Sequence, residues 1–332
     1  RISPSNATEV SNMVNKTLQY EQVLWSGNDT WEKYTTFMAS NDNYSVSEGT
    51  HNYIISNYLQ PRNYSFDRLY SHTYNATTQQ VTSAFNAGRA QGTYSGHGSE
   101  TSWADGPPFS QANVRALTNT VFPFIQSYAC LTGRYTRDEC FGETWTRVPR
   151  GAIAFWGASV SSYWSEDDIL EKRVYEGLFD NQTPGDTVNY TWLNGMTDYG
   201  KLRLYQYYGH SSMIQRYFEM YNLFGDGSVD LWTDIPNTVV FNHPAVVHLG
   251  MAQTQVTVSG YPDWALVCAR STAEPSVYAA GYVGASGSLT LNFNPAPSQP
   301  GHMVFTVTGH DVHTQIDSVP LIPASGPYVV YN

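Results

Sequence analysis

Charged residues make up only 14% of this chain, well below the roughly one-quarter typical of a soluble domain. Seventeen Lys and Arg stand against 28 Asp and Glu, a formal net charge of −11. There are too few cations to form the basic stripe that displaces counterions from a phosphate backbone, which excludes nucleic acid as a partner. An acidic balance is instead compatible with cationic substrates. Cysteine is also rare. Cys130, Cys140 and Cys268 are the only three, so the chain is not a disulfide-stapled scaffold, and an odd thiol remains whichever pair is drawn. No apolar run reaches the roughly 18 residues that a membrane-spanning helix needs. A signal peptide is missing as well, and a start at Arg1 without Met reads as a processed or trimmed product.

What the sequence does contain is a large apolar fraction. Hydrophobic residues are 41% of 332, with 25 Tyr and 9 Trp, enough for a substantial core and too many for a disordered chain. The length predicts one large and one smaller domain. With charge so low, solubility rests on Asn, Ser, Thr and Tyr, or on attached sugar. Asn-x-Ser/Thr triplets begin at Asn6, Asn15, Asn28, Asn43, Asn63, Asn75, Asn181 and Asn189, all candidate N-glycosylation sites of a chain that passes through a secretory route. A composition this rich in Asn, Ser and Thr also generates such triplets by chance.

Periodicity predicts a surface helix over 8–24, from Val10, Met13, Val14, Leu18 and Val23. A strand at 34–39 follows, opening into the polar loop Ser40-Asn41-Asp42-Asn43. Helices near 49–59, 77–87, 139–148 and 167–179 alternate with apolar runs at 66–70, 121–129 and 152–156. Short apolar strands alternating with helices predict an α/β fold with a mostly parallel sheet. Ligands gather at the carboxyl ends of such strands, and Asp42, His97, Cys130 and the 157–167 loop all fall there. The texture changes near residue 236. Strands at 254–259, 264–269, 277–283, 288–293 and 302–308, separated by Gly and Pro turns, predict an all-β immunoglobulin-like sandwich. The expected domains are therefore 1–237 and 238–332.

Cys130 ends an apolar strand, and His97 sits between Gly96 and Gly98. A thiol attacks as its thiolate, and an imidazole can supply both the base and the stabilising charge. Backbone N–H groups of Gly98 and Cys130 are the expected oxyanion donors. On residue types alone, a structural cysteine and a histidine in a Gly-rich turn remain open. A metal centre fits less well, because His97, Asp105 and Cys130 lack close ligand spacing. His210, His243, His248, His302, His310 and His313 are scattered and read as surface or structural residues.

The segment Tyr94-Ser95-Gly96-His97-Gly98-Ser99-Glu100-Thr101-Ser102-Trp103-Ala104-Asp105 resembles the histidine block of the gingipain family of cysteine peptidases, within the caspase-like clan. Ala129-Cys130-Leu131-Thr132-Gly133 resembles its nucleophile block. Cys140-Phe141-Gly142-Glu143 and Gly151-Ala152-Ile153-Ala154 resemble the helix and strand that follow, and Gly225-Asp226-Gly227-Ser228 the end of the peptidase domain. The resemblance implies a caspase-like peptidase domain followed by an immunoglobulin-like domain, and a secreted or cell-surface cysteine endopeptidase acting on proteins or peptides. It implies Cys130 as nucleophile, His97 as its acid–base partner and Asp42 as the carboxylate that supports the imidazole, although an Asp capping a loop is the plain alternative. Ser162-Tyr163-Trp164-Ser165-Glu166-Asp167 resembles the specificity segment of the lysine-specific members. Asp167 would then receive a lysine ammonium, with Ser162, Tyr163 and Trp164 around it. Glu166, Asp167 and Asp168 can equally be the acidic first turn of a helix. No cofactor is implied for catalysis. A structural calcium is implied, without ligands that the sequence identifies.

Arg1-Ile2-Ser3 resembles a point well inside the family's catalytic region. A non-covalently associated N-terminal fragment or a neighbouring subunit is therefore expected as partner, since an open sheet edge invites one. A second reading is an extracellular structural or adhesive protein on the same scaffold, which low charge, many aromatics and possible glycosylation would also suit.

Overall fold

The computed structural model describes residues 1–22, 30–183, 188–260 and 265–325. Asn28, Val23 and Trp264 lie outside them. The chain divides into two compact units, 1–233 and 234–332.

In the first unit the elements run α1 (Ala7–Gln22), β1 (Tyr34–Ala39), α2 (Tyr44–Ile54), β2 (Ser65–Tyr70), α3 (Ser71–Tyr74), α4 (Thr78–Asn86) and β3 (Gln91–Ser95). A small ribbon, β4 (Ser102–Trp103) and β5 (Phe109–Ser110), precedes α5 (Gln111–Arg115), β6 (Phe124–Tyr128), α6 (Phe141–Arg147) and β7 (Ala154–Ala158). Then come α7 (Trp164–Phe179), α8 (Leu193–Tyr208), α9 (Ser212–Met220) and β8 (Tyr221–Phe224).

The six strands of the main sheet lie in the order β2-β1-β3-β6-β7-β8. The first five are parallel, and β8 runs antiparallel to β7. This is the mostly parallel, helix-flanked sheet that the alternation predicted. Side chains alternate across it, as the strand period of two requires. Phe37, Tyr128 and Trp156 join a core beneath α2 and α7, with Ile54, Leu170 and Val174. Met38, Ile125 and Phe155 join the opposite core, with Phe85 of α4 and Phe141 and Trp145 of α6. Register fixes the functional edge: Ala39 lies opposite Ser95, and Ser95 opposite Tyr128. The loops after β1, β3 and β6 therefore leave the sheet side by side.

The structure departs locally from the sequence reading in α1 and α7. On α1 the row Val10, Val14 and Leu18 is exposed, while Met13, Lys16 and Tyr20 face inward. Hydrophobic spacing located the helix but not its buried face. Helix α7 starts at Trp164, three residues ahead of the expected 167.

The second unit is all-β among its described residues. A five-stranded sheet, β10 (Val247–His248), β16 (Val312–Ile322), β15 (Gly301–Gly309), β12 (Ala265–Ser271) and β13 (Tyr278–Val283) in that order, accompanies a three-stranded one of β14 (Ser288–Asn292), β11 (Gln253–Ser259) and β9 (Val240–Asn242). Strict alternation along β11 sends Val256 and Val258 to a core shared with Val267, Phe305 and Val307 of the larger sheet.

Candidate active site

Three consecutive strand ends and one helix start supply the polar groups. After β1, the turn Ser40–Asp42 is held from below by Asp105. The Ser40 hydroxyl donates to one Asp105 oxygen, and the Asp42 N–H donates to the other at 3.3 Å. Asn41 N–H donates to the Asp105 carbonyl at 3.3 Å. The turn is thus fixed before its own side chain is used. Asn43, in the left-handed region at φ 45°, then turns the chain into α2.

After β3, Gly96 leads to His97, whose Nε2 lies 2.8 Å from Oδ2 of Asp42. Both side chains are open to solvent, 49% and 62% exposed. The bond to His97 holds the Asp42 carboxyl below its ordinary range, since a hydrogen bond to the charged form favours that form. With Nε2 donating to Asp42, the imidazole lone pair sits on Nδ1, which is then the nitrogen able to accept a proton. The His97 carbonyl accepts from the Tyr94 hydroxyl at 2.8 Å and from Ala104 N–H at 2.9 Å, which secures the backbone. The ring meets Trp164 edge-on, centroids 5.5 Å apart.

After β6, the chain turns sharply through Cys130. Leu131 takes φ 64°, an unfavourable conformation for a residue with a branched side chain. Its N–H donates to the Val160 carbonyl at 3.2 Å, and Gly133 N–H to Ala158 at 2.8 Å. Cys130 is half-buried, and its Sγ lies 3.7 Å from the Ser162 carbonyl. Cys140 is a different kind of thiol: burial pushes it up to about 12. All three cysteines are free.

Gly98 joins the histidine and cysteine loops. A Cβ at this position would sit 2.8 Å from the Cys130 carbonyl oxygen and 2.9 Å from Cβ of Ala129. Only glycine lets the two loops approach this closely.

The fourth contribution comes from the loop between β7 and α7 and from the first turn of α7. Asp167 is only 5% exposed. Its Oδ1 accepts from the hydroxyls of Tyr217 at 2.9 Å and Tyr221 at 2.7 Å, and the neighbouring Ser162 side chain also favours its charged form. Burial nevertheless pushes its carboxyl up to about 7, because removing an anion from water costs more than these hydroxyls return. Ser162 therefore faces the Cys130 thiol through its carbonyl, while its side chain favours the anion of Asp167.

Residues 1–232 match the family model described as Peptidase family C25. The chain belongs to this peptidase family. It is 28% identical to Lys-gingipain of Porphyromonas gingivalis, over 93% of this chain and 19% of that protein. Against gingipain R1 of the same organism, identity is 23% over 99% of this chain and 33% of the relative. The chain thus spans a fifth to a third of the length of these curated relatives. The crystal structure of the Arg-specific cysteine proteinase gingipain R shares the fold, with a TM-score of 0.81 at 21% identity, covering 96% of this chain and 73% of that one.

In this C25 chain, Asp42, His97 and Trp164 form one contact chain, Cys130 faces Ser162, and Gly98 bridges the histidine and cysteine loops, while Asp167 is held by Tyr217 and Tyr221. Tyr163 is exposed, and its backbone is bonded to Tyr217. The sequence reading assigned no role to Asp105, Tyr217 or Tyr221. Asp105 was visible as the last residue of the histidine block, whereas the tyrosines carried no local signal. For calcium, no three His, Cys, Asp or Glu side chains gather to hold a metal among the described residues.

Proposed function

We propose that this chain is the catalytic portion of a secreted or cell-surface cysteine endopeptidase that cleaves after basic residues, lysine foremost. The observation that carries this reading is the contact of Gly98 with the Cys130 turn, which sets an imidazole and a thiol on adjacent strand ends of a C25 fold. His97 takes the thiol proton of Cys130, and the thiolate attacks the scissile carbonyl. The backbone N–H groups of Gly98 and Cys130 receive the resulting oxyanion. His97 then protonates the leaving amine, which departs and leaves a thioester. Water, deprotonated by His97, hydrolyses the thioester, releasing the acid and restoring the thiol. Asp42 holds the ring and stabilises the imidazolium, as an orienting carboxylate does.

Lysine preference rests on Asp167. A buried carboxylate at a pocket wall rewards a cationic side chain and is left unpaired by a neutral one. Trp164, packed on His97, would cover the methylenes of that side chain, with Ser162 and Tyr163 as neighbours. The name Lys-gingipain, borne by a relative at 28% identity, supports the same direction.

The test is hydrolysis of peptides that differ only in the residue before the cleaved bond. The expected order is Lys, then Arg, with an uncharged residue far behind. Cys130→Ala should abolish turnover, and His97→Ala should lower it at least 100-fold, within the roughly 10²–10⁴-fold that general acid–base catalysis supplies. Assembly without hydrolysis would favour a structural surface protein instead.

The remaining expectations stay proposals. The exposed row Val10, Val14 and Leu18 with Ile2 lines a groove of about 290 Å³, which supports association with a non-covalent N-terminal fragment or a neighbouring subunit. The second unit is proposed to be immunoglobulin-like. Among the glycosylation candidates, Asn15, Asn63 and Asn75 are exposed. Asn6 is exposed too, with its amide capping α1 through Glu9. Asn43 is half-buried, and Asn181 and Asn189 are bonded within their own loop. Among the described residues, no helix is long and apolar enough to cross a membrane.

A further inference from the structure

Tyr217 and Tyr221 are four residues apart, across the junction where α9 ends and β8 begins. They are fully buried, and their rings are stacked 5.6 Å apart. A buried phenol needs a partner, and both of these converge on the same oxygen of Asp167. A carboxylate can accept about four hydrogen bonds, two per oxygen. Two phenols fill the acceptor sites of Oδ1, so Oδ2 lies outside this pair of bonds. Tyr217 does more than this. Its hydroxyl accepts from Tyr163 N–H at 2.9 Å and lies 3.1 Å from the Tyr163 carbonyl. Tyr163 directly follows Ser162, whose carbonyl faces Sγ of Cys130. One hydroxyl therefore ties the buried acid to the loop against the thiol.

We propose that Tyr217 and Tyr221 are positioning residues for cation recognition: together they aim Asp167 at a basic substrate side chain, and Tyr217 alone couples that acid to the loop beside Cys130. The inference rests on the reading of Asp167 as the cation-binding acid and adds the residues that set its orientation and ionisation. The two tyrosines then have separable duties. Tyr221 serves binding only, whereas Tyr217 serves binding and the geometry of the nucleophile.

The other titratable groups facing Asp167 are Glu171 one turn along α7 and Tyr128 from β6. Burial and a carboxylate at Glu171 disfavour a negative charge on Asp167, and the Ser162 side chain and the two phenols offset part of that. Removing a donor should push ionisation of Asp167 to higher pH.

Steady-state kinetics of Tyr217→Phe and Tyr221→Phe test this with three peptides, ending in Lys, Arg or the uncharged lysine isostere norleucine. Losing a hydrogen bond to a charged group is worth about ten-fold or more. Tyr221→Phe should raise KM for the Lys peptide by about ten-fold near neutral pH, leave kcat within about two-fold, and leave the norleucine peptide unaffected. The KM defect should shrink as pH rises. Tyr217→Phe should show the same KM defect and also lower kcat for all three peptides. If the wild type prefers basic peptides but neither variant changes KM or its pH profile, the positioning role is wrong and the reading of Asp167 survives. Equal losses on Lys, Arg and norleucine peptides by Tyr221→Phe would likewise overturn it, reducing the residue to packing. A wild type with no basic preference would bring down the Asp167 reading itself, and this inference with it. Should Tyr217→Phe fail to fold, checked by its thermal transition, Tyr221→Phe decides the binding half alone.

Discussion

Gly98 carries more of the proposed chemistry than its lack of a side chain indicates. Gly98→Ala places a methyl group within 2.9 Å of Cys130 and Ala129 atoms that are mostly backbone or locked in the core. Overpacking of this kind costs about 1–3 kcal/mol, and here the strain falls between the two reacting groups. The variant is expected to keep a cooperative thermal transition at a lower Tm while kcat/KM falls at least 100-fold, as a misplacement of about 1 Å can cause. Activity within a few-fold of wild type would mean that the two loops need not touch. At this scale the sequence was informative for a physical reason. Cys130 and His97 stood out because Cys130 ends an apolar strand and His97 is flanked by glycines. Asp105 was legible only as part of a motif, since its work is done through the backbone of residues 41 and 42. The left-handed turn at Leu131 left no trace in sequence, because leucine rarely adopts it.

Helices α8 and α9 were absent from the sequence reading, and α7 together with α8 shows why. Gly177 on α7 would drive a Cβ to 2.7 Å from Tyr199, and Gly200 on α8 to 2.4 Å from Val174. By propensity such glycines argue against a helix. Here they let two helices close together, a tertiary reason that local pattern cannot hold. Gly200→Ala is expected to lower stability by about 1–3 kcal/mol despite its better helix propensity, measured by denaturant unfolding. A stabilised variant would show that the helix contact is loose. Helix α7 also carries Asp167, whose carboxyl is pushed up to about 7. Its folded-state value lies above the unfolded one, so the native state binds the proton more tightly, and stability falls as pH rises from about 4 to about 7. Asp167→Asn should flatten that slope in a pH series of unfolding curves. Elsewhere, Lys16 of α1 donates to the carbonyls of Trp145, Thr146 and Arg150 at the end of α6. Lys16→Met leaves those acceptors buried and is expected to cost about 1–3 kcal/mol, seen in the thermal transition.

For the whole molecule, the change of texture near residue 236 reflected a change in physics: helical spacing gives way to alternation, and each unit builds its own core. The five strands read after residue 250 all recur among the described residues. Strands β9 and β10 were missed because they are short, and β16 because its polar stretch 314–318 hides the alternation. Function was legible where chemistry and contact are local in sequence, as in the histidine and cysteine blocks. It was not legible where a distant element completes a site, as Tyr217 and Tyr221 do for Asp167. The most direct test of the central claim is covalent labelling with peptidyl thiol-reactive inhibitors ending in Lys or Arg, followed by peptide mass mapping. The account predicts modification at Cys130, faster with the Lys reagent, and lost in His97→Ala. A folded, reduced protein that leaves Cys130 unmodified by either reagent would contradict it.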